Sequence, residues 1–366
     1  MKSLDPGRRR LLLAASALLA SCAQAPKEDK PADDDKGDLL WPVPPELPRF
    51  AYETTLRSPS DVELETEQQR LQRALTGIGK QDQRVLEKPG AVAARKGRIY
   101  VTDSVRRSIV VFDIPRRKVF QMGLRPPGTL AKPIAMALDG SMKLYVADAS
   151  LRKVLVYDSL GLFQRSIGVP DDLMRPTGVA VSRDGQRIYV IDRADNDSEL
   201  HRVVAYGPDG AKLREIGRRG RGDGEFNVPV QGAVSPDNHL HVLDAGNFRV
   251  QTFDPEGNFV RSFGGVGTEL GKLARPRGIA CDDEGLLYVT DTAFGNVQVF
   301  TPKGELLITL GRGGTRDLPG RYGLLIGVAV DETGRLYLVD QLYGKVEVIR
   351  RLTEAEGRKL QASAPA

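Results

Sequence analysis

The chain has 366 residues, 40% hydrophobic and 28% charged, and 53 Lys and Arg against 48 Asp and Glu leave a net charge of +5. It is long enough for one large domain or two ordinary ones. With only two cysteines and three histidines, a disulfide-stapled scaffold and a histidine-rich metal centre are both excluded.

The N-terminal stretch GRRRLLLAASALLASC opens on Arg8 to Arg10 and continues into an apolar run closed by small residues. That is the plan of a secretory signal, and the run of about ten apolar residues is too short to span a bilayer. Leu19-Ala20-Ser21-Cys22 resembles the bacterial lipobox. The resemblance implies that residues 1–21 are a signal peptide and that Cys22 is the lipid attachment site, acylated by chains such as palmitate. Several acyl chains hold a protein stably at a bilayer where one does not. An ordinary cleaved signal with an incidental Cys22 is the alternative. The arginines before LLL also resemble a twin-arginine export signal. Ala23 stands where an Asp would imply inner-membrane retention, so the expected address is the outer membrane of a bacterial cell envelope.

Residues 22–47 are rich in Pro, Ala and alternating charge and read as a solvated tether. Cys281, the remaining cysteine, takes a strand position filled by Val in sibling repeats and reads as an inert thiol.

From 48 to 352 the chain repeats itself. An Asp closes a short apolar strand at Asp103, Asp148, Asp192, Asp244, Asp291 and Asp340, and successive copies stand 44 to 52 residues apart. That is the period of propeller blades. Six residues after the Asp an apolar residue returns at Ile109, Val154, Val250, Val297 and Val346, while RADNDSELHR lengthens the third copy. Each unit opens on a phrase such as PTGVAV or PRGIAC and turns through GPDG, DPEG or TPKG. Those turns place Pro where φ is preset and Gly where φ is positive. Each unit thus reads as four antiparallel strands, and the whole as an all-β, six-bladed propeller. The last unit has three strands, so PRFAYETTL at 48–56 is expected to close the ring and remove a sheet edge. A short helix is expected at about 61–75, with Ser60 as N-cap and Glu63 completing a capping box. Residues 353–366 read as a disordered tail.

The phrase P-x-G-h-A-h, followed by Y-V-x-D-x-x-N-x-R-V-x-x-F, resembles the NHL repeat. Asp244, Asn247, Arg249 and Val250 match it best; Arg106, Leu151, Phe294 and Tyr343 stand where the Asn would be. The resemblance covers nearly all of 48–352 and implies fold, since propellers host many unrelated activities.

The six aspartates form a ladder, one per blade, that reads as architecture: a carboxylate ending a strand accepts N–H groups of the following turn. Basic residues at Lys153, Arg202, Arg249 and Lys345 offset its charge. His241 replaces a Tyr found in the siblings, and His239 lies two residues earlier on the same face; a zinc site needs more ligands than this pair. No set of His, Glu and Asn like that of propeller lyases or lactonases is found for the central channel. Asp195, Asp197 and Glu199 alternate oxygen ligands as calcium loops do, a weak calcium candidate in what reads as a solvated loop. Arg-Gly-Asp within GRGDG is a chance tripeptide, and GRRGRGDG and GGVG precede strands, which is not the setting of phosphate cradles.

In propellers the inter-blade connectors share a face with the loops joining second and third strands. Here those segments carry Arg125, Arg175, Arg218, Arg219, Arg221, Arg275, Arg312, Arg316 and Arg321, with Arg106, Arg107, Arg152 and Arg249. Such a face attracts anions. Arg218, Arg219, Arg221, Arg275, Arg277, Arg312, Arg316 and Arg321 are the candidate partner-binding set. The expected function is a non-catalytic envelope lipoprotein holding a protein or an anionic glycan on that face, with nucleic acid an improbable partner for an exported chain. The alternative is a metal-assisted lyase or lactonase acting in the central channel.

Overall fold

The alternating strands assemble as the repeats require. The computed structural model describes residues 39–76, 83–169, 172–195 and 197–363; Cys22, the signal segment and most of the tether lie outside the described residues. In the first blade Pro89–Arg95, Arg98–Asp103, Ser108–Asp113 and Lys118–Met122 pair antiparallel in chain order. Four further blades repeat this from innermost strands Pro133–Leu138, Pro176–Val181, Pro229–Val234 and Pro276–Cys281. The sixth begins with Leu325–Val330 and continues through Arg335–Asp340 and Lys345–Arg351. The fold is a six-bladed β-propeller.

The N-terminal strand Phe50–Leu56 closes the ring as expected. It pairs antiparallel with Lys345–Arg351, in register from Phe50 opposite Arg351 to Leu56 opposite Val346. Leu40–Trp41 adds a short fifth strand outside it. First and last thirds of the chain are thus joined by a ladder of backbone hydrogen bonds, and the outer edge of Lys345–Arg351 is covered.

Burial follows position in the blade. Second and third strands are covered on both faces by neighbouring blades, so Ser108–Asp113 and His201–Tyr206 are buried throughout. Fourth strands keep one wet face: Phe163–Ile167 alternates half-buried and exposed residues before a buried end. Six apolar cores result, one at each junction between blades. Each contains one residue set three positions before the innermost strand: Leu86, Leu130, Leu173, Phe226, Leu273 and Tyr322, all at most 4% exposed. These act as plugs between blades.

Two expectations about the ends are corrected. Ser60 does not cap a helix at 61; Pro59–Asp61 is a single 3-10 turn, where the Asp61 carboxylate accepts the N–H groups of Arg57 and Ser58 at 2.6 and 2.8 Å. The α-helix begins only at Glu67 and ends at Thr76. Glu63 instead accepts the N–H of Val119 at 2.9 Å, covering one exposed donor of blade one's outer strand. The supposed tail holds a helix, Glu354–Ala362, because Thr353 and Glu356 form a capping box and Gly357 is buried against the Pro48 carbonyl.

Candidate binding site at the ring axis

The opening phrase of each blade is explained by convergence at the axis. In three of the blades the innermost strands of neighbours approach so closely that a side chain has no room at the third position, Gly178, Gly278 and Gly327. A β-carbon on Gly278 would stand 2.7 Å from the Ile326 carbonyl, and one on Gly327 would stand 2.6 Å from the Gly90 carbonyl. The second position points to the axis. Gly90, Ile134, Thr177, Val230, Arg277 and Ile326, one from each blade, line a cavity of about 300 Å³ together with Gln231 and Gln341. Arg277 is the one charged residue among these six. Gln341 Nε2 donates to the Pro89 carbonyl at 2.8 Å, whereas Gln231 Oε1 is buried with no hydrogen-bond partner.

The candidate arginines separate into two groups. Arg218 directs Nε and Nη2 to Glu225 Oε1, both at 3.0 Å, and Glu225 also accepts the backbone N–H groups of Arg221 and Gly222, while the exposed Arg221 guanidinium has no described carboxylate partner. Arg219 stands 4.0 Å from Glu199, and Arg312 and Arg316, although exposed, are engaged. Arg321 is 3% exposed and lies inside the connector, so it is not a surface residue. Arg275 and Arg277 are exposed, as is Arg175, and no described carboxylate pairs with any of the three. Arg193 shares this mouth. Its guanidinium is held below its ordinary value, first by burial and then by the charges of Arg175 and Arg277.

At the opposite end the channel narrows to a cavity of about 160 Å³ whose walls include Arg95, Arg183, Cys281, Asp283 and Glu332. Arg183 of blade three pairs with Asp283 of blade five, and Glu332 accepts the N–H of Lys96 at 2.8 Å. Cys281 is half-buried, and its thiol is pushed up chiefly by burial, so it stays protonated at neutral pH.

The six aspartates of the ladder are fully buried and each staples a connector to its blade. Asp148 accepts the N–H groups of Ala131 and Lys132 on one oxygen and those of Ser150 and Leu151 on the other, between 2.7 and 3.0 Å. Asp103, Asp291 and Asp340 repeat this arrangement, and Asp192 takes the connector half of it. Asp244 accepts Asn227 N–H together with Asn247 and Arg249 side chains. Its neighbour Val228, at φ 56°, turns its N–H to Nδ1 of His201 instead. His201 is fully buried, a role that its place beside the lengthened third loop did not signal.

The other two histidines are used locally. His239 Nδ1 lies 3.0 Å from Asp237, and His241 Nδ1 lies 3.0 Å from Thr252 Oγ1. Asp195, Asp197 and Glu199 are exposed, and no group of three or more His, Cys, Asp or Glu stands together as a metal set among the described residues.

Sequence reading also missed two further series. Asp139, Asp282 and Asp331 close the first hairpins and accept the phenols of Tyr145, Tyr288 and Tyr337 at 3.3, 2.8 and 2.7 Å. Gln251 and Gln298 accept the N–H of Gly224 and Gly271 and donate back to the same connectors, while Glu347 holds that position in blade six and accepts from Gly320. Both series recur at the blade period, which is the signal that could have revealed them.

No family model and no curated protein matches the chain. Among solved structures, a gluconolactonase from Xanthomonas campestris is 20% identical, covering 82% of this chain and 98% of that one, with a TM-score of 0.55. A streptogramin B lyase is 14% identical over 73% of this chain and 94% of its own, with a TM-score of 0.53. An auxiliary nutrient-binding protein from Bacteroides thetaiotaomicron is 11% identical over 72% and 69%, with a TM-score of 0.55. At such identities the likeness is one of fold.

Proposed function

We propose that this chain is a non-catalytic, lipid-anchored propeller of the bacterial envelope, of the NHL-repeat type, which holds an anionic glycan or an acidic protein surface on its connector face. One observation carries the reading. Arg175, Arg275 and Arg277 are exposed on that face without a carboxylate partner, above an axial ring of Gly, Ile, Thr, Val, Arg and Ile. That ring offers no general acid–base pair and no metal donor set. A face of uncompensated arginines over a low-dielectric funnel concentrates field toward the axis. The lipobox at Cys22 and the tether supply the address.

The test is retention of the full chain, in detergent, on an immobilised sulfated glycan. Replacing Arg175 and Arg275 by Ser should lower the salt concentration needed for elution and flatten the salt dependence. Arg218→Ser, whose charge Glu225 already neutralises, should change retention little. Unchanged retention of the double variant would refute the reading.

A further inference from the structure

We propose that the connector-side mouth of the ring axis is a binding site for one small organic anion, its carboxylate held by Arg277 and its apolar body in the shaft below. The inference rests on reading the connector face as anion-binding and names the ligand class its centre takes. Each axial position comes from a different blade, and five of the six side chains there are uncharged. Arg277 is therefore a single charge against a wall made by Gly90, Ile134, Val230 and Ile326. A guanidinium suits this task because its planar fork meets a carboxylate through two parallel hydrogen bonds. No described carboxylate occupies that fork.

The cavity, about 300 Å³, falls at the small end of the range for ligand sites, which excludes a polymer but admits a short acid. Burial together with Arg175 and Arg277 depresses the charged form of Arg193, and an anion in the mouth relieves that repulsion. A shaft walled by Ile134, Val230 and Ile326 with Thr177, Gln231 and Gln341 among them, a single fork and a like-charged rim suit a small amphiphilic carboxylate better than inorganic phosphate.

Hexanoate, hexanamide and inorganic phosphate are the probes, titrated calorimetrically into the full chain in detergent. Hexanoate should bind once per chain and at least about tenfold more tightly than either of the others, because only it engages both fork and shaft. Arg277→Gln should weaken hexanoate binding by about tenfold or more. Ile134→Phe fills the shaft but leaves every arginine in place, and it should weaken hexanoate while sparing glycan retention. If Arg277→Gln fails to fold, Arg277→Lys, which keeps the charge and loses the fork, should still bind more weakly than the parent. Hexanoate binding no better than phosphate, or unaffected by both Arg277 and Ile134 substitutions, would overturn the site. Loss of glycan retention with hexanoate binding intact would sink the face reading alone, and the reverse result this one alone.

Discussion

Phe226 occupies the space that a side chain on Gly217 would need. Gly217 has φ 77°, and a β-carbon there would stand 2.6 Å from Phe226 Cδ2. The same relation joins Gly123 to Leu130, Gly168 to Leu173 and Gly311 to Tyr322, each glycine at positive φ. The residue that ends an outer strand and the plug that starts the next junction are thus a single packing unit. Gly217→Ala should destabilise the protein by roughly 3 kcal/mol, combining left-handed strain with overpacking. Phe226→Ala should cost about 3–5 kcal/mol through the cavity it leaves. Denaturant unfolding of the two single variants and their double checks this. A double variant whose loss equals the sum of the singles would show that the two residues do not act as a unit.

Blade six replaces a neutral tie by a buried ion pair. Lys345 Nζ lies 2.5 Å from Glu347 Oε1 and 3.2 Å from Asp317, and both Lys345 and Glu347 are fully buried. Lys345→Met strands the Glu347 charge and should cost about 3–5 kcal/mol. Adding Glu347→Gln should recover most of that loss, because Gln251 and Gln298 make the same connector ties in blades four and five. Equal stability of the single and double variants would contradict this account.

His241 makes the fold acid-sensitive. Burial, the main cause, holds its imidazole at about 4, against 6.5 for an unstrained histidine. Between those values the unfolded chain takes up a proton that the folded chain refuses, so stability declines as pH falls from 6.5 toward 4 and levels off below. The full swing is roughly 3 kcal/mol. His241→Tyr should remove it, since Tyr189 is accommodated in blade three beside Ser182 and Asp184, the same turn chemistry as Ser235 and Asp237. Melting temperatures of parent and variant across this window should converge at neutral pH and separate in acid. Parallel curves would exclude His241 as the sensor.

The ring is legible in the repeat. Alternating strands, turn residues and the missing fourth strand of the last unit were all written locally, so the six blades and the closing role of 48–56 followed from period and pairing alone. The C-terminal helix shows how a legible signal can still be overlooked: Thr353 and Glu356 spell a capping box, but the surrounding charges read as a solvated tail. His201 was hidden for another reason, since its partner Val228 N–H lies in the next blade.

What the sequence determined was architecture, because strand alternation and turn chemistry act between residues close in the chain. What only the tertiary structure decided was which charges remain available. Arg218 is silenced by Glu225 seven residues on, Arg321 is folded inside its connector, and Arg277 meets five other blades' second residues at the axis. Charge compensation and convergence depend on distances through space, and a period of some 44 to 52 residues carries no measure of them.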